Sequence, residues 1–515
     1  MPSDPTLASP NPPAGRRAGL LRAALIVLGP VFALAMYALL GALANDTWSL
    51  AEPARRTAAI ATLVAWWWLS EALPLPATSL VPFVALPWLG VMSPTAAAAP
   101  YAHPVIFLFM GGFMMALAME RWGLHRRIAL TIMLGVGSRQ PMLVAGFMIA
   151  SALLSMWISN IATTVMMLPT VLSVIGVVEQ RIGKTQPQLA IASLLGIAYA
   201  ASIGGIATPI GTAPNGILLG VLNERFGFEV AFAHWMMLGA PLALVMLVVT
   251  WLLLTRFLHP LPNDEIPGGR DFIRQELRAL GKTSHAERIV MYVFFCAVFL
   301  WIFRKPLEGA VPILAALEDS TVAIIAALAL FIIPVDLRNR VFTLDWETAV
   351  KLPWGVLLLF GGGFSLASAF KASALDQAIG DQFAQLGHWP TWALVLAVTG
   401  VIVFLTELTS NTATATIFVT LLAGIAVGLG VDPLLLCVPA AIGASFAFML
   451  PVATPPNAVV FGSGRLHVMQ MARAGILLNL IGIALLTVAA FTIQQWTIGT
   501  MDRNSFAPQP SQTAE

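Results

Sequence analysis

The sequence predicts an all-α polytopic membrane protein that contains an inverted repeat. Three observations support this prediction: charge is scarce, apolar segments of membrane-spanning length recur, and three motifs occur twice. Of 515 residues, only 27 are Lys or Arg and 25 are Asp or Glu, whereas 58% are hydrophobic. Ordinary soluble domains carry about 25% charged residues. The composition therefore excludes a soluble globular enzyme and a disordered chain, because too few polar groups are present to cover a large surface.

Other features of the composition exclude further classes. The net charge of +2 is too small to indicate a nucleic-acid-binding protein. Cys296 and Cys437 lie in apolar runs and have no metal-ligand spacing. Residues 1–19 are polar and rich in Pro, which predicts a disordered tail. The apolar run that follows is too long for the core of a signal peptide and predicts a first span that is retained.

Apolar segments recur along the whole chain. A helix needs about 20 apolar residues to cross the hydrocarbon core of a bilayer. Candidate spans are predicted at 20–45, 57–74, 76–92, 104–122, 232–257, 289–303, 320–335, 352–370 and 474–496. Four further apolar segments each contain a break rich in Ser, Asn, Thr, Gly or Pro: 140–180, 188–222, 391–429 and 433–462.

The distribution of basic residues predicts an orientation. The N-terminus is placed in the cytoplasm, 140–180 and 391–429 enter and leave on one side as re-entrant hairpins, and the other interrupted segments cross fully. With this arrangement 20 of the 27 basic residues lie on the cytoplasmic side, in agreement with the positive-inside rule. A full crossing by either hairpin would weaken this bias. The C-terminus is then outside.

Three pairs of motifs carry the internal repeat. At an offset of 251, Leu108-Phe109-x-Gly111-Gly112-Phe113 recurs as Leu359-Phe360-x-Gly362-Gly363-Phe364, and Ser159-Asn160-x-Ala162-Thr163 recurs as Ser410-Asn411-x-Ala413-Thr414. At an offset of 242, Gly211-Thr212-Ala213-Pro214-Asn215 is followed by Ala453-Thr454-Pro455-Pro456-Asn457. An odd number of crossings lies between the copies, so the repeats have opposite orientations. Inverted repeats with broken helices near the midplane are typical of secondary transporters.

The repeat divides the chain into five parts. A disordered cytoplasmic tail at 1–19 is followed by the first span and first repeat at 20–257, which contains hairpin 140–180 and broken helix 188–222. A charged cytoplasmic loop is predicted at 258–288. The second repeat and last span occupy 289–497, with hairpin 391–429 and broken helix 433–462, and a polar C-terminal tail occupies 498–515.

The breaks have a chemistry of their own. Backbone that leaves helical geometry inside a bilayer is tolerated only where it is buried or lines a polar cavity. Freed carbonyls, hydroxyls and amide oxygens form a hard oxygen cage suited to Na⁺, and the N-termini of half-helices favour an anion beside it. Two repeats therefore predict two cation sites that flank one anion site, with the positive charge supplied by Na⁺.

The broken segments resemble those of a known family. Ile158–Thr164, Glu407–Thr414, Gly211–Asn215 and Ala453–Asn457 are similar to the signature segments of the divalent anion:sodium symporter family, the INDY-like carriers, and the resemblance runs from Thr57 to Thr497. It implies about eleven transmembrane helices with two re-entrant hairpins, since such carriers are built from inverted repeats. It also implies a homodimer and an elevator movement of a transport domain against a scaffold domain.

The resemblance also implies site residues. Two or more sodium ions are expected to be the coupling ions, and small dicarboxylate anions are expected to be the substrate. The first sodium site is implied at Ser155, Ser159, Asn160 and the Gly211 carbonyl, the second at Thr406, Thr409, Asn411 and the Ala453 carbonyl, and the substrate site at Asn160, Thr212, Asn411, Thr412, Thr454 and Pro455. The sequence departs from the family pattern at Ile161, where the family usually has Thr. An apolar side chain thus replaces a hydroxyl group at this position.

The leading hypothesis is sodium-coupled uptake of small divalent anions by alternating access, most simply of C4-dicarboxylates such as succinate, malate or fumarate. The bacterial inner membrane, with its lipid as a partner, is the expected location. Alternatives in the same fold are a dicarboxylate exchanger and a citrate or sulfate carrier. An enzyme requires paired catalytic groups within the spans, and the sequence offers none beyond Glu407. Two roles are open for this intramembrane carboxylate: binding of a cation or proton and, more commonly, orientation of a loop by hydrogen bonds. The closed hairpins argue against a channel.

Overall fold

The computed structural model describes residues 16–43, 50–137, 139–264, 269–383 and 389–501. Its first half contains helices α1 (Arg16–Ala42), α2 (Glu52–Ser70), α3 (Leu75–Thr78), α4 (Val81–Trp88), α5 (Pro94–Ala98), α6 (Pro104–Arg121), α7 (Leu124–Val136), α8 (Gln140–Ser155), α9 (Asn160–Ile182), α10 (Pro187–Gly205), α11 (Ala213–Phe226), α12 (Phe232–Leu252) and α13 (Gly269–Ala279). A 3₁₀ turn at Ala99–Ala102 precedes α6, and a π-helical turn at Leu253–Leu258 continues α12.

The second half repeats this pattern. It contains α14 (His285–Leu307), α15 (Asp319–Ile332), α16 (Trp346–Ala349), α17 (Trp354–Ala372), α18 (Leu375–Phe383), α19 (Thr391–Thr406), α20 (Asn411–Leu429), α21 (Pro433–Gly443), α22 (Pro455–Phe461), α23 (Val468–Ala490) and α24 (Ile493–Thr497). A 3₁₀ turn lies at Pro312–Ala316, and two short antiparallel strands, β1 (Pro334–Asp336) and β2 (Val341–Phe342), follow α15.

The predicted all-α polytopic membrane fold is confirmed. Within the described residues, nine helices are long and apolar enough to cross a membrane. Five shorter apolar helical stretches accompany them, among them the halves of the predicted hairpins. Many large hydrophobic side chains face outward, such as Leu34 and Leu244, which are 70% and 61% exposed. Lipid is the solvent in which such a surface is stable.

Each interrupted apolar segment is a pair of helices joined by non-helical residues. The helical breaks lie at 156–159, 206–212, 407–410 and 444–454. The second helix of the first hairpin begins after Ser159, whose hydroxyl accepts a hydrogen bond from the backbone N–H of Ala162 at 3.3 Å and so caps α9. Prolines at the first turns of α11 and α22 fit there, because the first N–H groups of a helix have no partner within it.

The two repeats pack across each other. Helix α9 of the first hairpin contacts α22 of the second broken helix, and α20 of the second hairpin contacts α11 of the first. The breaks of both repeats are thereby brought to one place.

The repeated Gly pairs allow close helix packing. A Cβ on Gly111 would overlap the backbone of Ala323 in α15, and one on Gly362 would overlap the backbone of Ser79. The first contact is between α6 and α15, and the second is between α17 and the end of α3. Helices α6 and α17 carry the two copies of the Gly-Gly motif. Small residues permit such approaches in membrane bundles.

The structure differs from the predicted elements in three places. The candidate span 76–92 is two short helices, α3 and α4, because Pro82 lacks the N–H that would continue α3. Helices α7 and α18 were not predicted, although they begin 251 residues apart and are equivalent in the repeat. The predicted tail 1–19 is helical from Arg16 onward, while 1–15 and 502–515 lie outside the described residues.

Candidate functional site

The four breaks meet at one cavity of about 990 Å³. Ten of the twelve residues implied as ligands line it: Ser159, Asn160, Gly211, Thr212, Thr409, Asn411, Thr412, Ala453, Thr454 and Pro455. The other two, Ser155 and Thr406, are fully buried behind the cavity wall. The structure therefore brings the predicted site residues together, and their roles as ligands remain predictions.

The tip of the first hairpin, which is the break at 156–159 with the helix ends on either side, is organised around Asn160. The hydroxyl of Ser155, at the end of α8, donates to the Asn160 side-chain oxygen Oδ1 at 2.5 Å. A Cβ placed on Gly205 would lie 2.9 Å from that oxygen and 3.2 Å from the carbonyl oxygen of Gly211. The two oxygens thus converge on the same small space beside Gly205. Unwound carbonyls and side-chain oxygens of this kind coordinate Na⁺ in secondary transporters, and the first sodium site stays a prediction.

The tip of the second hairpin, which is the break at 407–410 with the helix ends on either side, repeats the pairing of a hydroxyl with an asparagine. The hydroxyl of Thr406, at the end of α19, lies 2.7 Å from Asn411 Oδ1 and 2.9 Å from the Ala444 carbonyl oxygen. Thr409 is held by the Leu405 carbonyl at 2.9 Å and by the Thr414 hydroxyl at 2.7 Å. Hydroxyl and asparagine therefore pair at the same spacing in both repeats. The ligand atoms are neutral oxygens, which suit a hard monovalent cation better than a transition metal.

Two further asparagines hold the broken helices in shape. The amide of Asn215 donates to the carbonyls of Gly205 at 3.1 Å and Thr208 at 2.8 Å. In the second repeat, the amide of Asn457 donates to the carbonyls of Ala447 and Leu450 at 3.1 and 3.0 Å. Each satisfies carbonyls that the break removes from the helical ladder. Sequence reasoning missed this role, although both asparagines end a repeated motif.

Glu407 fixes the second break directly. One carboxylate oxygen accepts from the N–H groups of Phe448 and Met449 at 2.7 and 2.8 Å, and the other accepts from the N–H of Leu450 at 3.1 Å. The amide of Asn479 in α23 donates to the same carboxylate at 2.7 Å. The side chain is buried, with 3% of the residue exposed. These contacts agree with the loop-orienting role of Glu407, and a role in cation or proton binding stays a prediction.

Residues outside the four breaks also line the cavity. They include the charged residues Glu71, Glu120 and Lys351 and the apolar residues Phe113 and Val356. Lys351 is the one cation among the described residues that line the cavity, and it belongs to neither tip. Phe113 ends the repeated Gly-Gly motif, whereas sequence reasoning did not place Glu71, Glu120, Lys351 or Val356 at the site. In the described part of the chain, no cluster of His, Cys, Asp and Glu is suited to a metal ion.

Comparison with known proteins identifies the family and the fold of the chain. The family described as sodium:sulfate symporter transmembrane region matches residues 27–499. A protein of Staphylococcus saprophyticus named sodium-dependent dicarboxylate transporter SdcS is 41% identical over 447 residues, which is 86% of each chain. Its namesake in Staphylococcus aureus strain USA300 is 42% identical over 451 residues, again 86% of each. The crystal structure of the YdaH transporter of Alcanivorax borkumensis has a TM-score of 0.57 and 15% identity and covers 93% of this chain and 99% of its own, which shows a shared fold.

Broken helices from two repeats that meet at one cavity define a secondary transporter. The chain belongs to the sodium:sulfate symporter family, since the family match spans nearly the whole membrane domain and the relatives share two-fifths of its residues. The resemblance inferred from the four motifs is thereby confirmed.

Gly205→Ala is expected to weaken the first sodium site selectively. Its new Cβ would crowd Asn160 Oδ1 and the Gly211 carbonyl, so the sodium concentration for half-maximal uptake should rise about tenfold, which corresponds to a loss of about 1.4 kcal/mol. The equivalent residue of the second repeat is already an alanine, Ala447. Sodium titration of uptake measures the effect, and Ala447→Gly is the matched control, expected to leave half-saturation unchanged. An unaltered titration for Gly205→Ala would contradict the placement of the first site.

Proposed function

We propose that this protein is a secondary active transporter that couples sodium entry to the uptake of small divalent anions, above all C4-dicarboxylates such as succinate, malate and fumarate. The observation that carries the proposal is the pair of matched tips, in which Asn160 and Asn411 line one cavity and each is hydrogen-bonded to a buried hydroxyl, that of Ser155 or Thr406. The printed names of the relatives, sodium-dependent dicarboxylate transporters, agree with it.

The tips explain why an anion needs sodium here. Neither tip contributes a Lys or Arg to the cavity. A dianion bound between the tips, away from Lys351, would therefore find only amide and hydroxyl donors and the N-terminal ends of α9 and α20. A cation held at each tip supplies the missing charge: a pair of unit charges at about 4 Å gains roughly 4 kcal/mol near a protein surface. Anion affinity then depends on bound sodium, and the two are transported together.

The site residues divide into two sodium sites and one substrate site, and Asn160 and Asn411 take part in both kinds of site. Ser155, Ser159, Asn160 and the Gly211 carbonyl hold one sodium ion, and Thr406, Thr409, Asn411 and the Ala453 carbonyl hold a second. The substrate carboxylates meet Asn160, Thr212, Asn411, Thr412, Thr454 and Pro455. Asn215, Asn457 and Glu407 keep the breaks rigid, so that the ligands are preorganised.

The proposal also states which helices move during transport and which stay fixed. Hairpins and broken helices form a transport domain that slides as an elevator against a scaffold containing α6, α15 and α17, in a homodimer embedded in the lipid of the bacterial inner membrane. With the N-terminus in the cytoplasm and the C-terminus outside, Lys351 is cytoplasmic, and the cavity that it lines opens inward. Labelling of single cysteines introduced at the exposed positions Lys351 and Lys305, in a protein whose Cys296 and Cys437 are replaced, tests this orientation from either side of the membrane.

Sodium replacement tests the function. Purified protein in liposomes is expected to accumulate labelled succinate in an inward sodium gradient and to lose this uptake when choline replaces sodium, because choline does not fit an oxygen cage. Protein-free liposomes are the control. Uptake that is unchanged in choline, and that instead requires internal dicarboxylate, would establish the exchanger. Competition by citrate and by sulfate distinguishes the other carriers of the same fold.

A further inference from the structure

The two tips are matched in their cation-binding geometry but not in the residue that follows. Ile161 comes directly after Asn160, and Thr412 comes directly after Asn411, at the same position of the repeat. Both side chains line the cavity. Ile161 is 46% exposed, which is unusual for an isoleucine at the start of a buried hairpin helix. One tip thus offers a hydroxyl to the cavity, and the other offers a branched hydrocarbon.

The N-terminal ends of α9 and α20 also differ, because the second leaves more hydrogen-bond donors available to a substrate. At the first tip, Ser159 uses its own hydroxyl to accept the N–H of Ala162, so one donor of the α9 N-terminus is already satisfied. At the second tip, Ser410 makes no such cap, and the first N–H groups of α20 have no side-chain partner from it. The second tip therefore has more hydrogen-bond donors for a carboxylate, namely the Thr412 hydroxyl and the free helix end.

We propose that this transporter distinguishes the two ends of its substrate, and that Ile161 selects C4-dicarboxylates bearing a small alkyl group beside one carboxylate. The inference rests on the proposed function and adds the substrate class. The unsubstituted end of such a molecule binds at Asn411 and Thr412. The alkyl-bearing end lies at Asn160, where its methyl group covers Ile161 and removes apolar surface of both from water.

The alternative explanation is that Ile161 only packs against the scaffold when the cavity closes. In that case its side chain stabilises one conformation and has no preference among substrates. Succinate and 2-methylsuccinate separate the two roles, because they differ by one methyl group at constant charge.

The experiment measures inhibition of labelled succinate uptake, in saturating sodium, by succinate and by 2-methylsuccinate. In the wild-type protein, 2-methylsuccinate is expected to inhibit at about one-quarter of the succinate concentration, the effect of burying one methyl group. Ile161→Thr is expected to bring the ratio of the two inhibition constants to about one, since a hydroxyl offers the methyl group no apolar partner. Ile161→Val, which loses one methylene group, should give an intermediate ratio and covers the case in which the Thr variant is unstable.

Thr412→Val is the matched control at the other tip. It removes a hydroxyl at nearly constant volume, so it should weaken inhibition by both compounds equally and leave their ratio unchanged. A wild-type ratio of one, or a ratio that neither Ile161 variant alters while succinate uptake persists, would overturn the inference and leave sodium-coupled transport standing. Absence of sodium-dependent succinate uptake by the wild type would overturn the proposed function and this inference together.

Discussion

Asn411→Ala is expected to abolish sodium-dependent dicarboxylate uptake. The Asn411 side chain is assigned two contacts with charged species, one to the second sodium ion through Oδ1 and one to a substrate carboxylate through its amide. A hydrogen bond to a charged group contributes about 1.5–3 kcal/mol, so the loss of both contacts should reduce kcat/KM at least a hundredfold. Initial rates of labelled succinate uptake into liposomes, at several sodium concentrations, measure the loss.

Asn411→Asp separates the two contacts. A carboxylate keeps an oxygen next to the Thr406 hydroxyl, which lies 2.7 Å from Asn411 Oδ1 in the wild type, so sodium binding should persist or strengthen. The added negative charge repels the substrate, so transport should still be lost. Stabilisation against thermal unfolding by sodium alone, compared with sodium plus succinate, reports the two events independently. Sodium should stabilise this variant, and succinate should add nothing.

Asn339→Ala is the matched control for both variants. Asn339 lies on an exposed turn between β1 and β2, where its amide donates to Asp336. Its removal should leave uptake at the wild-type rate. Uptake by Asn411→Ala within a few-fold of the wild type would exclude Asn411 from both the second sodium site and the substrate site.

The breaks that build the site could be predicted from sequence because their causes are local. A Ser-Asn pair ends one half-helix and caps the next, and Pro at the first turn of α22 marks the start of a helix. The spacing of five residues between Ser155 and Asn160, and between Thr406 and Asn411, placed each hydroxyl beside its asparagine. Such patterns need no knowledge of distant segments.

Other features depend on tertiary contacts, and the sequence did not predict them. The close approach of the Ser79 backbone to Gly362 joins residues that are far apart in the chain. Lys351 reaches the cavity from the turn before α17, and Glu120 reaches it from the last turn of α6. The amphipathic helices α7 and α18 were hidden because their charged residues interrupt the apolar pattern, although their repeat offset was a usable signal.

The second tip differs from the first in how its break is held, and this difference predicts a large effect at Glu407. The equivalent residue of the first repeat is Met156, whose carbonyl accepts the Thr208 hydroxyl at 2.5 Å. At Met156, a single hydrogen bond between neutral groups holds the break. At Glu407, the side-chain carboxylate accepts hydrogen bonds from four donors. The second break is therefore fixed by a buried negative charge, with no basic partner among the described residues.

Glu407→Ala is expected to destabilise the protein by several kcal/mol and to abolish transport. Three backbone N–H groups and the Asn479 amide lose their acceptor, and each unsatisfied buried donor costs about 1–3 kcal/mol. The loop at 448–450 then no longer places Ala453 and Thr454 at the cavity. Size-exclusion profiles and thermal unfolding in detergent measure the loss. Glu276→Ala is the control, because its pairing with Arg126 is exposed and contributes at most about 1 kcal/mol.

Glu407→Gln tests whether the charge matters beyond the geometry. Glutamine keeps one oxygen for the loop and removes the negative charge next to Thr406, so the second sodium ion loses electrostatic support while the first does not. Half-saturation by sodium should therefore rise at one site only, and the sodium dependence of uptake should become biphasic. A uniform fall in uptake with an unchanged sodium titration would instead limit Glu407 to holding the loop. The two repeats would then bind sodium with the same electrostatics despite their different supports.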